Sequence, residues 1–181
     1  FDKHYFNGGG KVGGYFHEGF RDFPVHNITF QHILTRKPKS VLEIGAGRGY
    51  IGKRLEDVGI DYHGLEISKH CFLTRVCDNI NLWDLCKTPW VVTNHSFIKK
   101  LDLCVSVATL EHIPMEFIPQ VIKEMARACE RGLHGIDFGE KDDGKDLTHV
   151  SLFSKVTWEK LFAEHAPGWP VEIVDKEWLE S

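Results

Sequence analysis

The segment Val41-Leu42-Glu43-Ile44-Gly45-Ala46-Gly47-Arg48-Gly49 carries the densest chemical signal in the chain. Its apolar start reads as a buried strand. Gly45, Gly47 and Gly49 alternate, and glycine takes tight, left-handed backbone shapes without steric cost. Such a turn can run closely beneath a charged small molecule. A dinucleotide site favours GxGxxG, and in that register the third glycine would fall on Tyr50. The spacing is instead ExGxGxG. It has no need to seat a diphosphate, and the acid at Glu43 suits a cationic amine. A nucleotide-like cofactor, and so an enzyme, is the expectation.

Further along lie groups suited to proton transfer. His112 follows the apolar run 101–108, Asp137 lies near the end of the run 133–138, and His149 stands in Asp146-Leu147-Thr148-His149. Histidines and carboxylates beside a reacting atom can take up a proton near neutral pH. Each also has a local reading. His112 could fix the loop before Pro114, Asp137 could be a solvated strand end, and Asp146 with Thr148 could shape a turn through side-chain-to-backbone bonds. Glu111 reads as a charge at the start of the next helix, favourable near its positive end. No HxH or HxxxH spacing joins these residues, so no metal ligand is assigned, although His112, Asp137, Asp146 and His149 could approach one another in space and hold a divalent ion.

The elements that must position these groups alternate. A helix at about 25–34, with Ile28, Ile33 and Leu34 on its apolar side, is stopped by Pro38. Strand 40–45 leads into helix 50–58, closed by Gly59. A strand from Tyr62 to Leu65 ends in Glu66, and Ser68 caps a short helix reaching about Arg75. Strands follow at 79–85 and 101–108. The face Ile118, Val121, Ile122, Met125 and Cys129 marks a helix ended by Gly132. A fifth strand spans 133–138, Ser154 caps a helix carrying Val156, Leu161 and Phe162, and a last strand covers 171–174. Alternation of this kind implies an α/β fold, a doubly wound and mostly parallel sheet in a three-layer sandwich, with ligands beyond the carboxyl ends of the strands. One domain over 1–181 is expected, its arm and first helix (1–37) covering a core of 38–181.

With 181 residues, 42% hydrophobic and 27% charged, the composition is that of an ordinary globular domain. A net charge of −4 gives no basic stripe for nucleic acid. No apolar run is long enough to cross a membrane. The five cysteines are odd in number and lack CxxC spacing, so free thiols in a reducing compartment, the cytoplasm, are expected.

Taken together and in this order, the motifs resemble those of class I S-adenosylmethionine-dependent methyltransferases over roughly residues 40–165. The resemblance implies that Glu43, Gly45, Ala46, Gly47 and Gly49 seat the amino-acid part of S-adenosylmethionine. Glu66, with Ile67 beside it, would hold the ribose hydroxyls, and Asp84-Leu85 would meet the adenine. Val107, in the fourth strand, would also line the cofactor, and Leu110-Glu111-His112-Ile113-Pro114 is similar to an ending common in small-molecule members. Tyr15, in the glycine-rich arm, would fold over the cofactor or else cover the sheet edge. His112, Asp137 and His149 would border the acceptor.

The implied activity is methyl transfer to an oxygen or nitrogen of a small polar metabolite, a sugar or natural-product intermediate among them, with S-adenosylhomocysteine as product. A monomer or homodimer is expected, with no nucleic-acid partner. Protein or nucleic-acid methylation ranks lower, because Ala108-Thr109-Leu110-Glu111 stands where an NPPY-like tetrapeptide would be. A non-catalytic partner subunit that keeps the fold and, third, a nicotinamide oxidoreductase compete with this reading.

Overall fold

The computed structural model describes residues 5, 22, 24–90, 100–139 and 146–175. Tyr15 lies outside them, as do most of the arm and residues 140–145.

Six parallel strands form one sheet in the order β3-β2-β1-β4-β5-β6. They are β1 (Ser40–Ile44), β2 (Asp61–Glu66), β3 (Ile80–Leu82), β4 (Leu103–Val107), β5 (Gly132–Ile136) and β6 (Val171–Asp175). The order reverses between β1 and β4, which opens a crevice at their carboxyl ends. The helices are α1 (Pro24–Thr35), α2 (Tyr50–Asp57), α3 (Lys69–Leu73), α4 (Ile118–Ala128) and α5 (Lys155–His165). Among the described residues no helix is long and apolar enough to cross a membrane.

Two apolar layers enclose the sheet. On one face Val41, Leu103, Val105 and Leu133 pack with Ile51 and Leu55 of α2 and Phe30 and Ile33 of α1. On the other, Leu42, Ile44, Cys104 and Ile136 pack with Ile118, Val121, Ile122 and Met125 of α4 and Trp158 and Phe162 of α5. The alternation Leu42/Ile44 against Val41/Glu43 is the period-two rule of a strand covered on both sides. Glu43 is therefore directed into a packed layer. All five cysteines are free thiols.

Several boundaries differ from expectation for local reasons. Strand β3 stops at Leu82, because Asp84 closes a turn: its Oδ1 accepts from the Cys86 amide (3.0 Å) and its carbonyl from the Lys87 amide (2.9 Å). Strand β4 ends at Val107, since Ala108 has φ +46°. Gly132 does not end α4. Cys129 turns extended there, and Gly132 opens β5, where a Cβ would lie 2.6 Å from both His134 Nε2 and the Trp169 ring. The serine caps are as expected: Ser68 accepts from the Cys71 amide and Ser154 from the Thr157 amide, each at 3.2 Å.

Candidate active site

The glycine turn is built as its spacing implied. Gly45, Gly47 and Gly49 have φ of +69°, +55° and +80°. The amides of Gly45 and Ala46 both donate to the Leu65 carbonyl, at 2.9 and 3.1 Å, which folds the turn toward β2. A Cβ on Gly45 would come within 2.9 Å of Thr109 Cβ and closer still to its Oγ1. The left-handed Ala108 places Thr109 in that position, so the exit of β4 lies over the turn. Tyr50, at the expected third-glycine position of a dinucleotide turn, stacks its ring on His26 of α1 (centroids 5.3 Å, 23°). Close helix-to-strand approach occurs instead at Gly52, where a Cβ would lie 2.8 Å from Tyr62 Cδ1. Sequence reasoning did not mark Gly52.

Glu66, at the end of β2, is buried beside the turn. Its Oε2 accepts from the Gly47 amide (2.8 Å) and its Oε1 from the Ser68 amide (2.6 Å). Burial raises its pKa, against the lowering effect of these amides. Ile67 beside it is 52% exposed. Glu43 is engaged elsewhere: its Oε2 accepts from the Tyr62 hydroxyl at 2.6 Å beneath α2. Burial pushes its pKa up to about 8. Asp84 is half-buried in its own turn and Leu85 is buried.

A second cluster occupies the carboxyl ends of β4 and β5. A 3₁₀ turn, Leu110–His112, follows β4. Glu111 stands in the first turn of this short helix, as a helix-start charge would, but is closed off from solvent. It is fully buried, its Oε1 accepts from the Asp137 amide (3.2 Å), and its carbonyl accepts from the amides of Val150 and Ser151 (both 2.9 Å). Burial lifts its pKa to about 7. The His112 and His149 rings meet edge to face, 4.7 Å between centroids. His149 Nε2 stands 3.9 Å from Asp137 Oδ2 and from Asp146 Oδ2. Asp146 also accepts from the Tyr5 hydroxyl (3.0 Å) and the Thr148 hydroxyl (2.5 Å). Burial acts to raise the Asp146 pKa, but these donors and the Thr148 amide bring it below the usual carboxylate value.

The structure thus brings His112, Asp137 and His149 together and adds Glu111, Asp146, Thr148 and Tyr5. The Asp146–Thr148 turn is the one the local pattern suggested, with the Thr148 amide donating to Asp146 Oδ1 at 2.9 Å; the burial of Glu111 and the reach of Tyr5 depend on contacts between distant segments and had no local signal. Glu111, His112 and His149 each place one potential metal-ligand atom within 4.8 Å of the others, a grouping that the sequence spacing did not suggest.

A glycine turn and an acid-lined cluster, both at the carboxyl edge of one parallel sheet, define a Rossmann-like fold of the methyltransferase type. The family described as tellurite resistance protein TehB matches residues 10–139, more than half of the chain. The chain belongs to the TehB family. Comparison with curated proteins gives no match. Among solved structures, the YcgJ protein of Bacillus subtilis superposes with a TM-score of 0.60 at 16% identity, covering 77% of this chain and 68% of that one. A SAM-dependent methyltransferase from Archaeoglobus fulgidus gives 0.58 at 15% identity, covering 78% and 68%. The plantazolicin methyltransferase BpumL, in complex with a pentazolic desmethylPZN analog and SAH, gives 0.54 at 12% identity, covering 77% of this chain. The chain spans 60% of the length of that methyltransferase.

Proposed function

We propose that this chain is an S-adenosylmethionine-dependent methyltransferase acting on an oxygen or nitrogen of a small polar metabolite. The observation that carries the reading is the 2.8 Å contact between the Gly47 amide and Glu66. It joins the backbone cradle that follows β1, beside the sheet's switch point, to the acid that ends β2. The SAH held by the plantazolicin enzyme and the SAM dependence of the Archaeoglobus protein support the same cofactor here.

On this reading Gly45 to Gly49 seat the amino-acid portion, with Glu43 beneath them stiffening the turn through Tyr62. Glu66 takes the ribose hydroxyls, Ile67 offers an apolar surface to the nucleoside, and Asp84-Leu85 border the adenine. Val107, at the end of β4, and Thr109, just beyond it, face the cofactor. The sulfonium is already activated. The protein's work is to align the acceptor in line with the methyl, exclude water and receive a proton. His112, Asp137 and His149, at the adjoining strand ends, supply that proton chemistry. Tyr15 remains a candidate cover for the cofactor from the arm.

Calorimetry with S-adenosylmethionine and S-adenosylhomocysteine tests the reading. Micromolar to sub-millimolar binding of either is expected, and no heat at millimolar cofactor defeats it. Transfer of labelled methyl only to protein or RNA would move the acceptor to the lower-ranked classes.

A further inference from the structure

We propose that Glu111, His112 and His149 bind one divalent transition-metal ion of the zinc type, held as Lewis acid for an acceptor hydroxyl. The site belongs to this chain's acceptor region, and its catalytic use rests on the methyltransferase reading. Two imidazoles and one carboxylate form a donor set that suits zinc and its neighbours. Magnesium and calcium favour all-oxygen shells. The three ligand atoms lie within 4.8 Å of one another. A tetrahedral zinc with bonds of about 2.0–2.1 Å separates its ligands by about 3.4 Å, a closure within reach of small side-chain rotations. Three protein ligands leave the fourth position for substrate, the pattern of a catalytic rather than a structural ion.

The surroundings already orient one ligand. His112 Nδ1 faces the Thr148 carbonyl at 3.2 Å and the Thr148 hydroxyl oxygen at 2.9 Å. That hydroxyl gives its hydrogen to Asp146 Oδ1 at 2.5 Å, so toward the ring it can only accept. Nδ1 therefore carries the proton, and Nε2 carries the lone pair that a metal takes. Fixing a histidine tautomer through its far nitrogen is how outer-shell groups prepare an imidazole for coordination. The Asp146 carboxylate behind Thr148 completes that chain.

An independent observation comes from Glu111. Its Oε1 holds the Asp137 amide, while its Oε2 is buried and has no hydrogen-bond partner among the described residues. A carboxylate oxygen shut away from water without a partner is costly. A bound cation removes that cost. Asp137 and Asp146, each 3.9 Å from His149 Nε2, add the negative charge that a dication requires.

With an ion in place, an acceptor hydroxyl fills the open position and its pKa falls. Its proton passes to the Asp137 carboxylate. The oxygen then forms a bond to the methyl carbon as the sulfur–methyl bond breaks, and the sulfonium becomes the thioether of S-adenosylhomocysteine. The acceptor atom is then oxygen rather than nitrogen.

The experiment titrates Zn²⁺ alone into chelator-stripped protein by calorimetry, repeats it with Glu111→Gln and His149→Gln, and records the visible spectrum with Co²⁺. Glutamine at 111 keeps the acceptor for the Asp137 amide, so that variant should stay folded, and thermal melts of both variants check this. One ion per chain is expected, weakened at least tenfold in each variant, with a Co²⁺ absorption lost in both. No binding, or equal binding in the parent and both folded variants, overturns the site. A parallel titration of S-adenosylhomocysteine into stripped protein separates the two readings. Its failure overturns the methyltransferase assignment, and the ion count and spectrum then judge the metal site by themselves.

Discussion

Gly47 donates its amide to Glu66 across 2.8 Å, so the turn after β1 and the acid ending β2 form one hydrogen-bonded unit. The same carboxylate also holds the Ser68 amide, which starts α3. A ligand hydroxyl that reaches Glu66 meets an acceptor whose position is already fixed from two sides. Preorganisation of this kind reduces the cost of binding.

Glu66→Gln keeps the shape of the side chain and removes its charge. S-adenosylhomocysteine affinity should fall at least tenfold, about 1.4 kcal/mol, and the melting temperature should fall as well, because glutamine has one acceptor oxygen for two buried amides, Gly47 and Ser68. Paired calorimetry and thermal melts check this. Unchanged affinity would mean that Glu66 only braces the turn.

The acceptor side should behave in the opposite way. Asp137→Asn should lower turnover by about 10²–10⁴, the usual worth of positioned proton transfer, and His149→Gln should lower it through loss of the ion, while S-adenosylhomocysteine binding stays within twofold in both. Single-turnover methyl transfer alongside cofactor titration distinguishes the two sides. A parallel loss of cofactor affinity would count against the division.

Gly45→Ala combines a φ of +69° with a Cβ driven against Thr109. Destabilisation of about 1–3 kcal/mol is expected. Adding Thr109→Ala removes the nearest atoms but leaves the backbone strain, so only part of the loss should return. Urea melts of the two single variants and the pair measure the coupling.

Glu43 sets an alkaline limit on stability. Burial raises its folded pKa from 4.5 to about 8. Between these values the folded chain holds a proton that the unfolded chain has released. Stability from this group is complete below pH 4.5 and is lost as pH rises toward 8, with a slope of up to about 1.4 kcal/mol per unit. Glu43→Gln, which can still accept from Tyr62, should abolish the slope and exceed the parent in stability at pH 8. Denaturant midpoints at pH 5, 6.5 and 8 check it.

His134 acts at the acid end. It is buried in β5, bonded to Ser106 Oγ at 2.8 Å and stacked on Phe162, and burial lowers its pKa from 6.5 to about 3. The unfolded chain takes up a proton below 6.5 that the folded chain refuses. Stability is therefore complete above 6.5 and falls as pH drops toward 3. The double variant His134→Phe with Ser106→Ala should show a shallower acid limb in melts between pH 7 and 4.

Local chemistry explains which parts of this chain are legible in its sequence. The run into Gly45, Gly47 and Gly49 announces both β1 and the turn, because each signal lies within ten residues. Ser68 and Ser154 announce their helices in the same way. Asp84 misleads because Trp83 and Leu85 extend an apolar pattern that its own turn interrupts. Glu43 reads as an acid on a strand, but its partner Tyr62 lies on the neighbouring strand, and nothing in either segment encodes that pairing. Glu111 reads as a helix-start charge. Its burial arises from Asp137, Val150 and Ser151, and Tyr5 reaches Asp146 across 141 positions. Spacing rules are silent at such separations.

The single carbonyl of Glu111 anchors two consecutive amides, Val150 and Ser151. The peptide that delivers His149 is thus pinned to the peptide that delivers His112, independently of either side chain. Substitution of either imidazole therefore leaves the backbone spacing of the pair intact, so the effects of the two side chains can be measured separately.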